Sequence, residues 1–129
     1  MFDVSGMARY PGLTLRVLAS EFPAMGPGKA ALVAQIEKTG SISAAAREMG
    51  MSYRRAWQLV EALNKTFDKP VVLTAIGGKR GGGAVVTEFG RRLVAAYHGM
   101  ENKASAAIAA DLDEFTAHLR KPGTKRRAR

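Results

Sequence analysis

Hydrophobic residues recur every three or four positions in several stretches of the chain, a spacing that predicts helices with one buried face. The first such stretch is KAALVAQIEKTG, in which Leu32, Val33 and Ile36 lie on one side of the predicted helix. Gly40 follows the last turn, where helices often end in a residue of left-handed conformation. The pattern therefore predicts a helix that ends at Gly40.

Two further helices are predicted in the segment SISAAAREMGMSYRRAWQLVEALNKTF, with Gly50 between them. The first covers residues 43–49, is rich in alanine, and has Ser41 or Ser43 as its N-cap. The second is capped by Ser52. The residues at spacings of three and four that predict its buried face are Ala56, Leu59, Val60, Leu63 and Phe67.

Strands are predicted where apolar and polar residues alternate and where β-branched residues are frequent. Leu13, Leu15 and Val17 alternate with polar residues, which is typical of a half-buried strand, and residues 22–28 are broken by prolines and glycines. Further along, VVLTAI and AVVT are rich in branched residues, which favours strands. The glycine-rich stretch GGKRGGG, residues 77–83, lies between these two strands.

The longest periodic stretch begins at Thr87, a predicted N-cap, and continues to Leu119. As one helix it would span roughly 50 Å. The small preceding domain cannot cover an apolar stripe of that length, so we expect part of the stripe to contact a second copy of the chain. The alternative is a helix that packs only on its own domain. The predicted dimer interface consists of Leu93, Tyr97, Met100, Ala104, Ile108, Leu112 and Phe115.

The distribution of charge along the sequence indicates what kind of partner the chain binds. The net charge of the 129 residues is +9, and it is concentrated in residues 41–92 and 120–129, with an acidic stretch between them. Such a distribution indicates a surface that binds polyanions, although basic tails are also common in proteins without that role. We predict three parts: a domain at residues 1–86, a dimerisation helix at residues 87–119, and a disordered basic tail at residues 120–129.

The two helices around Gly50 have the features of a helix-turn-helix, in which two helix backbones cross closely. Ala45 and Ala46 supply small residues, Gly50 tolerates the positive φ of the turn, and Met49 and Met51 supply apolar contacts beside it. A generic helical hairpin would share the apolar pattern. The small residues at this spacing favour DNA binding.

The second of these helices begins with SYRR, which places two cations where the helix dipole disfavours them. Arginine can bind guanine with two hydrogen bonds, and the first turns of a recognition helix reach base edges. The alternative is a pair of solvated surface arginines. The helical periodicity places Glu61 and Lys65 on the face opposite the buried stripe, and Trp57 on a flank. The residues predicted to contact bases are Ser52, Tyr53, Arg54, Arg55 and Gln58.

The stretch GGKRGGG lacks the spacing of a nucleotide-binding P-loop and has no Ser or Thr after its lysine. Because it joins two strands directly after the helix-turn-helix, it is typical of the tip of a β-hairpin wing that approaches DNA. A mobile loop with solvated cations is the alternative. The residues predicted to contact phosphates are Ser41, Ser43, Lys65, Lys79 and Arg80.

The sequence resembles the winged-helix domain of ModE-type molybdate-responsive regulators in two stretches, SISAAAREMGMSYRRAW and GGKRGGGAVVTEFGRRL. That domain is itself similar to the DNA-binding domain of LysR-type regulators. The resemblance runs from about Leu13 to Leu119. It implies a mainly α fold with a small β-hairpin wing (α+β), and a homodimer that controls molybdenum-related operons. It also implies that the family members that sense molybdate bind it in additional small β-barrel domains. In the residues up to Arg129 no such domain is recognisable. We therefore expect no cofactor in this chain.

No pattern favours catalysis. His98 and His118 are isolated on the predicted long helix, so we expect neither an enzyme nor a metal site. Cysteine is absent, and neither a signal peptide nor an apolar stretch of about 18 residues is present, so we expect a cytoplasmic protein without membrane contact. The resemblance implies that it is bacterial and nucleoid-associated. The expected partners are double-stranded DNA and a second copy of the chain. Two alternatives remain: an oxyanion sensor with a site at the dimer interface, and a non-specific basic protein that binds nucleic acid.

Overall fold

The computed structural model describes residues 12–75 and 83–120. Within these ranges the helices predominate, and two small antiparallel hairpins accompany them. This confirms the predicted winged-helix class, mainly α with a small β-hairpin wing. The elements are β1 (Val17–Ala19), β2 (Phe22–Met25), α1 (Pro27–Thr39), α2 (Ile42–Glu48), α3 (Tyr53–Thr66), β3 (Val72–Ala75), β4 (Gly83–Val86), α4 (Glu88–Ala107) and α5 (Ala109–Thr116).

The core lies among α1, α2, α3, the β3–β4 hairpin and the first half of α4. Ala30, Ala45 and Ala56 are fully buried, one on each of the first three helices, so the backbones of these helices can approach closely. Leu32, Ile36, Val60 and Leu63 are among the large side chains that fill the space between them. The small residues that predicted a tight helix-turn-helix are thus at the helix contacts.

The predicted helix boundaries are confirmed where a cap or a glycine sets them. The Ser41 hydroxyl accepts a hydrogen bond from Ala44 N at 3.0 Å, and the Ser52 hydroxyl accepts one from Arg55 N at 3.0 Å. Thr87 caps α4 in the same way through Gly90 N at 2.8 Å. Gly40 and Gly50 have φ values of 71° and 69°, the left-handed conformation that favours glycine.

The wing is the hairpin formed by β3 and β4, in which Val72 pairs with Val86 and Leu73 pairs with Val85. Because side chains alternate across a strand, the Val72–Val86 pair points into the core, whereas the Leu73–Val85 pair is exposed on the outer face. The predicted wing strands are therefore confirmed at these positions. The tip of the hairpin, with Lys79 and Arg80, lies outside the described residues.

The other hairpin corrects the prediction for the start of the chain. Of the three alternating residues only Val17 belongs to a strand, and the segment at residues 13–16 has no regular secondary structure. That segment is held by a side chain rather than by a neighbouring strand, since the Tyr97 hydroxyl donates a hydrogen bond to Leu15 O at 2.7 Å. The segment at residues 22–28, which prolines and glycines interrupt, instead begins with the strand β2. Pro23 is tolerated in this strand because both strands of a two-stranded hairpin are edge strands.

The prediction of one uninterrupted helix from residue 87 to residue 119 is wrong. Ile108 has φ −109° and ψ 13°, outside the α-helical range, and it separates α4 from α5. The hydrogen bonds from Ile108 N to Ala104 O and from Leu112 N to Ile108 O continue across it, so the break is local. Among the described residues α5 buries no side chain, and without packing a straight helix has little to stabilise it.

Candidate nucleic-acid interface

One face of α3 is directed away from the core. Arg54, Gln58, Glu61 and Lys65 are all exposed there, while Ala56, Val60 and Leu63 are buried on the opposite side. The cap formed by Ser52 fixes the start of the helix, and the first turn contains no acidic residue. The outward face thus presents positive charge at the N-terminal end of α3, as the sequence predicted.

A first flank of α3 carries aromatic side chains. Tyr53 and Trp57 lie one helical turn apart and are 55% and 36% exposed. Asn64 follows on the same flank, and it contacts the wing strand β3. The aromatic pair therefore lies on the side of the recognition helix that leads to the wing.

Asn64 connects α3 to the wing by three hydrogen bonds. Its Oδ1 accepts from Val71 N at 2.8 Å and from Val72 N at 3.1 Å, and its Nδ2 donates to Val72 O at 2.9 Å. Val71 and Val72 are both buried, so Asn64 satisfies backbone groups that are shielded from water. The sequence analysis missed this residue, because hydrophobic periodicity says nothing about a polar side chain beside the buried stripe.

The second flank of α3 is directed towards α1. Arg55 lies on this flank, and its positive charge acts on Lys29 in the first turn of α1. The Lys29 ammonium donates a hydrogen bond to Pro23 O at 2.8 Å. Burial, followed by the charge of Arg55, lowers the pKa of Lys29. Lys29 was not among the predicted site residues, since it lies far from Arg55 in the sequence.

The start of α2 lies beside the wing. Ala84 N of β4 donates to Gly40 O at 3.0 Å, directly before the α2 cap residue Ser41. The Ser41 hydroxyl is engaged in that cap, and the exposed Ser43 hydroxyl lies 3.3 Å from it. The structure thus brings both serines next to the hairpin. Their predicted contact with phosphate remains a prediction.

The ion pairs within the described parts of the chain all include a side chain of α4. Arg91 pairs with Glu37 at 3.2 Å, Arg92 pairs with Glu88 at 3.6 Å, and His98 lies 2.8 Å from Glu101. The cations of α3 are not among these pairs. In the region that the structure describes, no carboxylate therefore lies within ion-pair distance of the α3 cations, although Glu61 shares the outward face of the helix.

The candidate dimer interface is only partly available on the surface of one chain. Tyr97 is 1% exposed and Leu93 packs against the core, so both belong to the chain's own domain. This corrects the assignment of Tyr97 to the interface. Its burial, together with the nearby Glu101 carboxyl, raises the pKa of Tyr97 to about 12. Beyond it, Met100 and Phe115 are 45% and 69% exposed, whereas Ala104, Ile108 and Leu112 are partly exposed.

In residues 12–75 and 83–120, no three His, Asp or Glu side chains come close enough to share a metal ion. None of the helices found there combines the length and the apolar character that crossing a bilayer requires.

Residues 29–91 match a protein family described as "Bacterial regulatory helix-turn-helix protein, lysR family". The matched range begins in α1 and ends in the first turn of α4, so it contains the helix-turn-helix and the wing.

Curated relatives agree with this match. The chain is 50% identical over 95 residues to "Molybdenum-pterin-binding protein MopB" of Rhodobacter capsulatus, an alignment that covers 74% of this chain and 34% of the relative. It is 39% identical over 85 residues to "DNA-binding transcriptional dual regulator ModE" of Escherichia coli, which covers 66% of this chain and 32% of the relative. The chain thus spans about a third of the length of these relatives. Residues 29–91 are thus similar to the helix-turn-helix domain of the bacterial lysR family, and the resemblance to ModE-type regulators that the sequence indicated is confirmed.

Proposed function

We propose that this chain is a sequence-specific DNA-binding transcription regulator of the ModE type. It acts in the bacterial cytoplasm, binds an inverted-repeat operator as a homodimer, and controls molybdenum-related genes. The observation that carries the proposal is the outward face of α3, on which Arg54 and Gln58 are exposed next to the β3–β4 hairpin, and where Arg54 forms no ion pair with any of the described residues.

The dimensions of this face suit the major groove. The groove of B-DNA is about 12 Å wide, and an α-helix with its side chains measures roughly 10–12 Å across. Arg54 and Gln58 are one helical turn apart near the start of α3, so both can reach base edges when the N-terminal half of the helix enters the groove. Lys65, in the last turn, would then lie closer to the phosphate backbone.

Replacement of Arg54 with alanine tests the assignment of base readout. Losing a bidentate base contact costs about 1–3 kcal/mol of binding free energy and relaxes the preference at the contacted base pair. We expect Arg54→Ala to flatten one position of the binding profile without lowering the melting temperature, because the side chain is exposed. The measurement is a titration against a site selected from random DNA, its single-base variants and random duplex.

Two comparisons make this result interpretable. Arg92→Ala removes an arginine of α4 whose side chain is also exposed, and it should leave the profile unchanged. Lys79→Ala with Arg80→Ala should lower affinity for selected and random DNA by similar factors, because both residues are predicted to contact phosphates, which carry no sequence information. A loss of sequence preference in this double variant, but not in Arg54→Ala, would reverse the two assignments.

The proposed homodimer uses the exposed apolar face of α4 and α5. Met100 and Phe115 lie on this face, and α5 buries no side chain in the described part of the chain. An exposed apolar face of this kind is typical of a surface covered by another chain. In a dimer that places two recognition helices about 34 Å apart, both helices enter successive major grooves of an inverted repeat.

The interface is tested by placing charge on it. Met100→Glu with Phe115→Glu should dissociate the dimer in sedimentation velocity and abolish the preference for two half-sites over one. Leu18→Glu is the control, because Leu18 is a similarly exposed apolar residue on the β1–β2 hairpin. If the wild-type chain sediments as a monomer at tens of micromolar, or if Leu18→Glu dissociates it equally, this face is not the interface.

The proposed link to molybdenum rests on the relatives, which include a molybdenum-pterin-binding protein of Rhodobacter capsulatus. An oxyanion site within this chain is a second candidate. Melting temperatures measured with molybdate and with sulfate test whether this chain contains such an oxyanion site. Stabilisation by molybdate alone would indicate such a site, whereas equal curves for both anions would leave DNA binding as the activity of these residues.

A further inference from the structure

The aromatic side chains of α3 border the face that carries its cations. Tyr53 and Trp57 are one helical turn apart, so they lie next to each other along the surface of the helix. Trp57 follows Arg54 by three residues, which places the two side chains about 60° apart around the helix axis. The aromatic pair therefore adjoins the face that we propose enters the major groove.

Much of this aromatic pair is not used in packing the chain. Both side chains are exposed, whereas Ala56, Val60 and Leu63 form the buried face of the same helix. Within residues 12–75 and 83–120, neither ring packs against another aromatic ring, and no cation lies over either of them. Exposed aromatic side chains that lie together beside a charged face are typical of a binding surface.

The flank that carries the pair is held in a defined position relative to the wing. Asn64 follows Trp57 by seven residues, or about two helical turns, so it lies on the same flank. Its three hydrogen bonds to Val71 and Val72 hold this side of α3 against the wing. Recognition of one group on a base requires such a fixed support for the recognising side chains.

The chemistry of the pair fits one feature of the major groove. The base edges present hydrogen-bonding groups there, and thymine adds an apolar group, the C5 methyl. An aromatic ring can contact this methyl, but it has no charge with which to bind a phosphate. The sugars are the same in every nucleotide, so contact with them would give no sequence preference. A thymine methyl is therefore the specific partner that this flank suits best.

We propose that Tyr53 and Trp57 contact the C5 methyl of a thymine in each half-site, beside the base that Arg54 reads. This inference rests on the proposed DNA-binding function and deepens it by naming the chemical group that the flank recognises. It also adds Trp57 to the residues that determine specificity. The sequence analysis placed Trp57 on a flank and assigned it no contact.

The test replaces each thymine of a site selected from random DNA with uracil, one position at a time. Uracil lacks the methyl group of thymine and keeps its hydrogen-bonding groups. Affinity of the wild-type chain should fall about fourfold at one thymine of a half-site, the effect of one buried methyl group, and roughly fifteenfold when both half-sites are changed. A selected half-site without thymine, or equal affinity for all uracil-substituted sites, would overturn the proposal.

Alanine variants identify the side chains that contact the methyl group. Tyr53→Ala and Trp57→Ala should each weaken binding to the thymine site and reduce the penalty for uracil, and the double variant should show no penalty. Tyr53→Phe keeps the ring and should retain the wild-type penalty. If the double variant retains the penalty while binding selected and random DNA equally less well, the rings contact sugars and the proposal is overturned.

Phe22→Ala provides the matched control. It removes an aromatic ring that is 51% exposed on the β1–β2 hairpin, and it should leave both affinity and the uracil penalty unchanged. Melting temperatures separate a binding effect from a folding effect, and the uracil scan of the wild-type chain tests the proposal even if a variant is unstable. If the wild-type chain selects no site, the proposed regulator function fails; if it is selective but indifferent to uracil, only this inference fails.

Discussion

Replacing Gly90 with alanine should destabilise the protein by about 2–3 kcal/mol, although glycine to alanine within a helix is ordinarily stabilising. A Cβ at this position would lie 2.5 Å from Val71 O and 3.0 Å from a methyl group of Val86. Val71 O is part of the backbone and already accepts a hydrogen bond from Thr87 N at 3.0 Å, so it cannot move without loss. Helix α4 would have to shift away from the wing.

Gly99→Ala is the matched control, since Gly99 lies on the same helix and a Cβ there meets nothing within 4 Å. It should raise the free energy of unfolding by about 0.5–1 kcal/mol, because alanine has less backbone freedom to lose. Urea unfolding at one fixed protein concentration measures both variants. Effects of the same sign in Gly90→Ala and Gly99→Ala would contradict the close approach of α4 to the residue before the wing.

The features that the sequence predicted correctly are those with short-range causes. Ser52 and Thr87 each cap a helix through a backbone group three residues ahead, and Gly40 and Gly50 adopt positive φ where a helix must end. Such rules need only the nearest neighbours. The helix-turn-helix was predictable for the same reason, since its small and apolar residues lie within a single segment.

The features that the sequence analysis missed or misassigned depend on partners far along the chain. Tyr97 fits the apolar stripe of a long helix, but its hydroxyl binds Leu15 O, which makes it a core residue rather than an interface residue. Ile108 fits the three-to-four-residue spacing of the apolar residues, and this spacing gives no information on the backbone conformation that separates α4 from α5. Periodicity predicts which face of a helix is apolar; it does not predict which neighbour covers that face.

Asn64 illustrates the same limit and gives the second large effect. Asn64→Ala leaves Val71 N, Val72 N and Val72 O without their side-chain partner, in a region where both valines are buried. An unsatisfied buried backbone group costs about 1–3 kcal/mol, and water entering the space left by the amide offsets part of that cost. We therefore expect a loss of about 2–4 kcal/mol in the free energy of unfolding.

The control for Asn64→Ala is Gln58→Ala, which removes an amide from the exposed face of the same helix and should change stability by less than about 0.5 kcal/mol. Hydrogen exchange gives a second, local readout. The amides of Val71 and Val72 donate to Asn64 Oδ1, so both should exchange faster in Asn64→Ala while amides within α1 are affected only through the global stability. If these two amides remain as protected as those of α1, the Asn64 side chain does not hold the wing against the recognition helix. If they alone lose protection, the Asn64 amide holds β3 against α3, and the orientation of the wing relative to α3 depends on a residue outside the proposed DNA-contacting face.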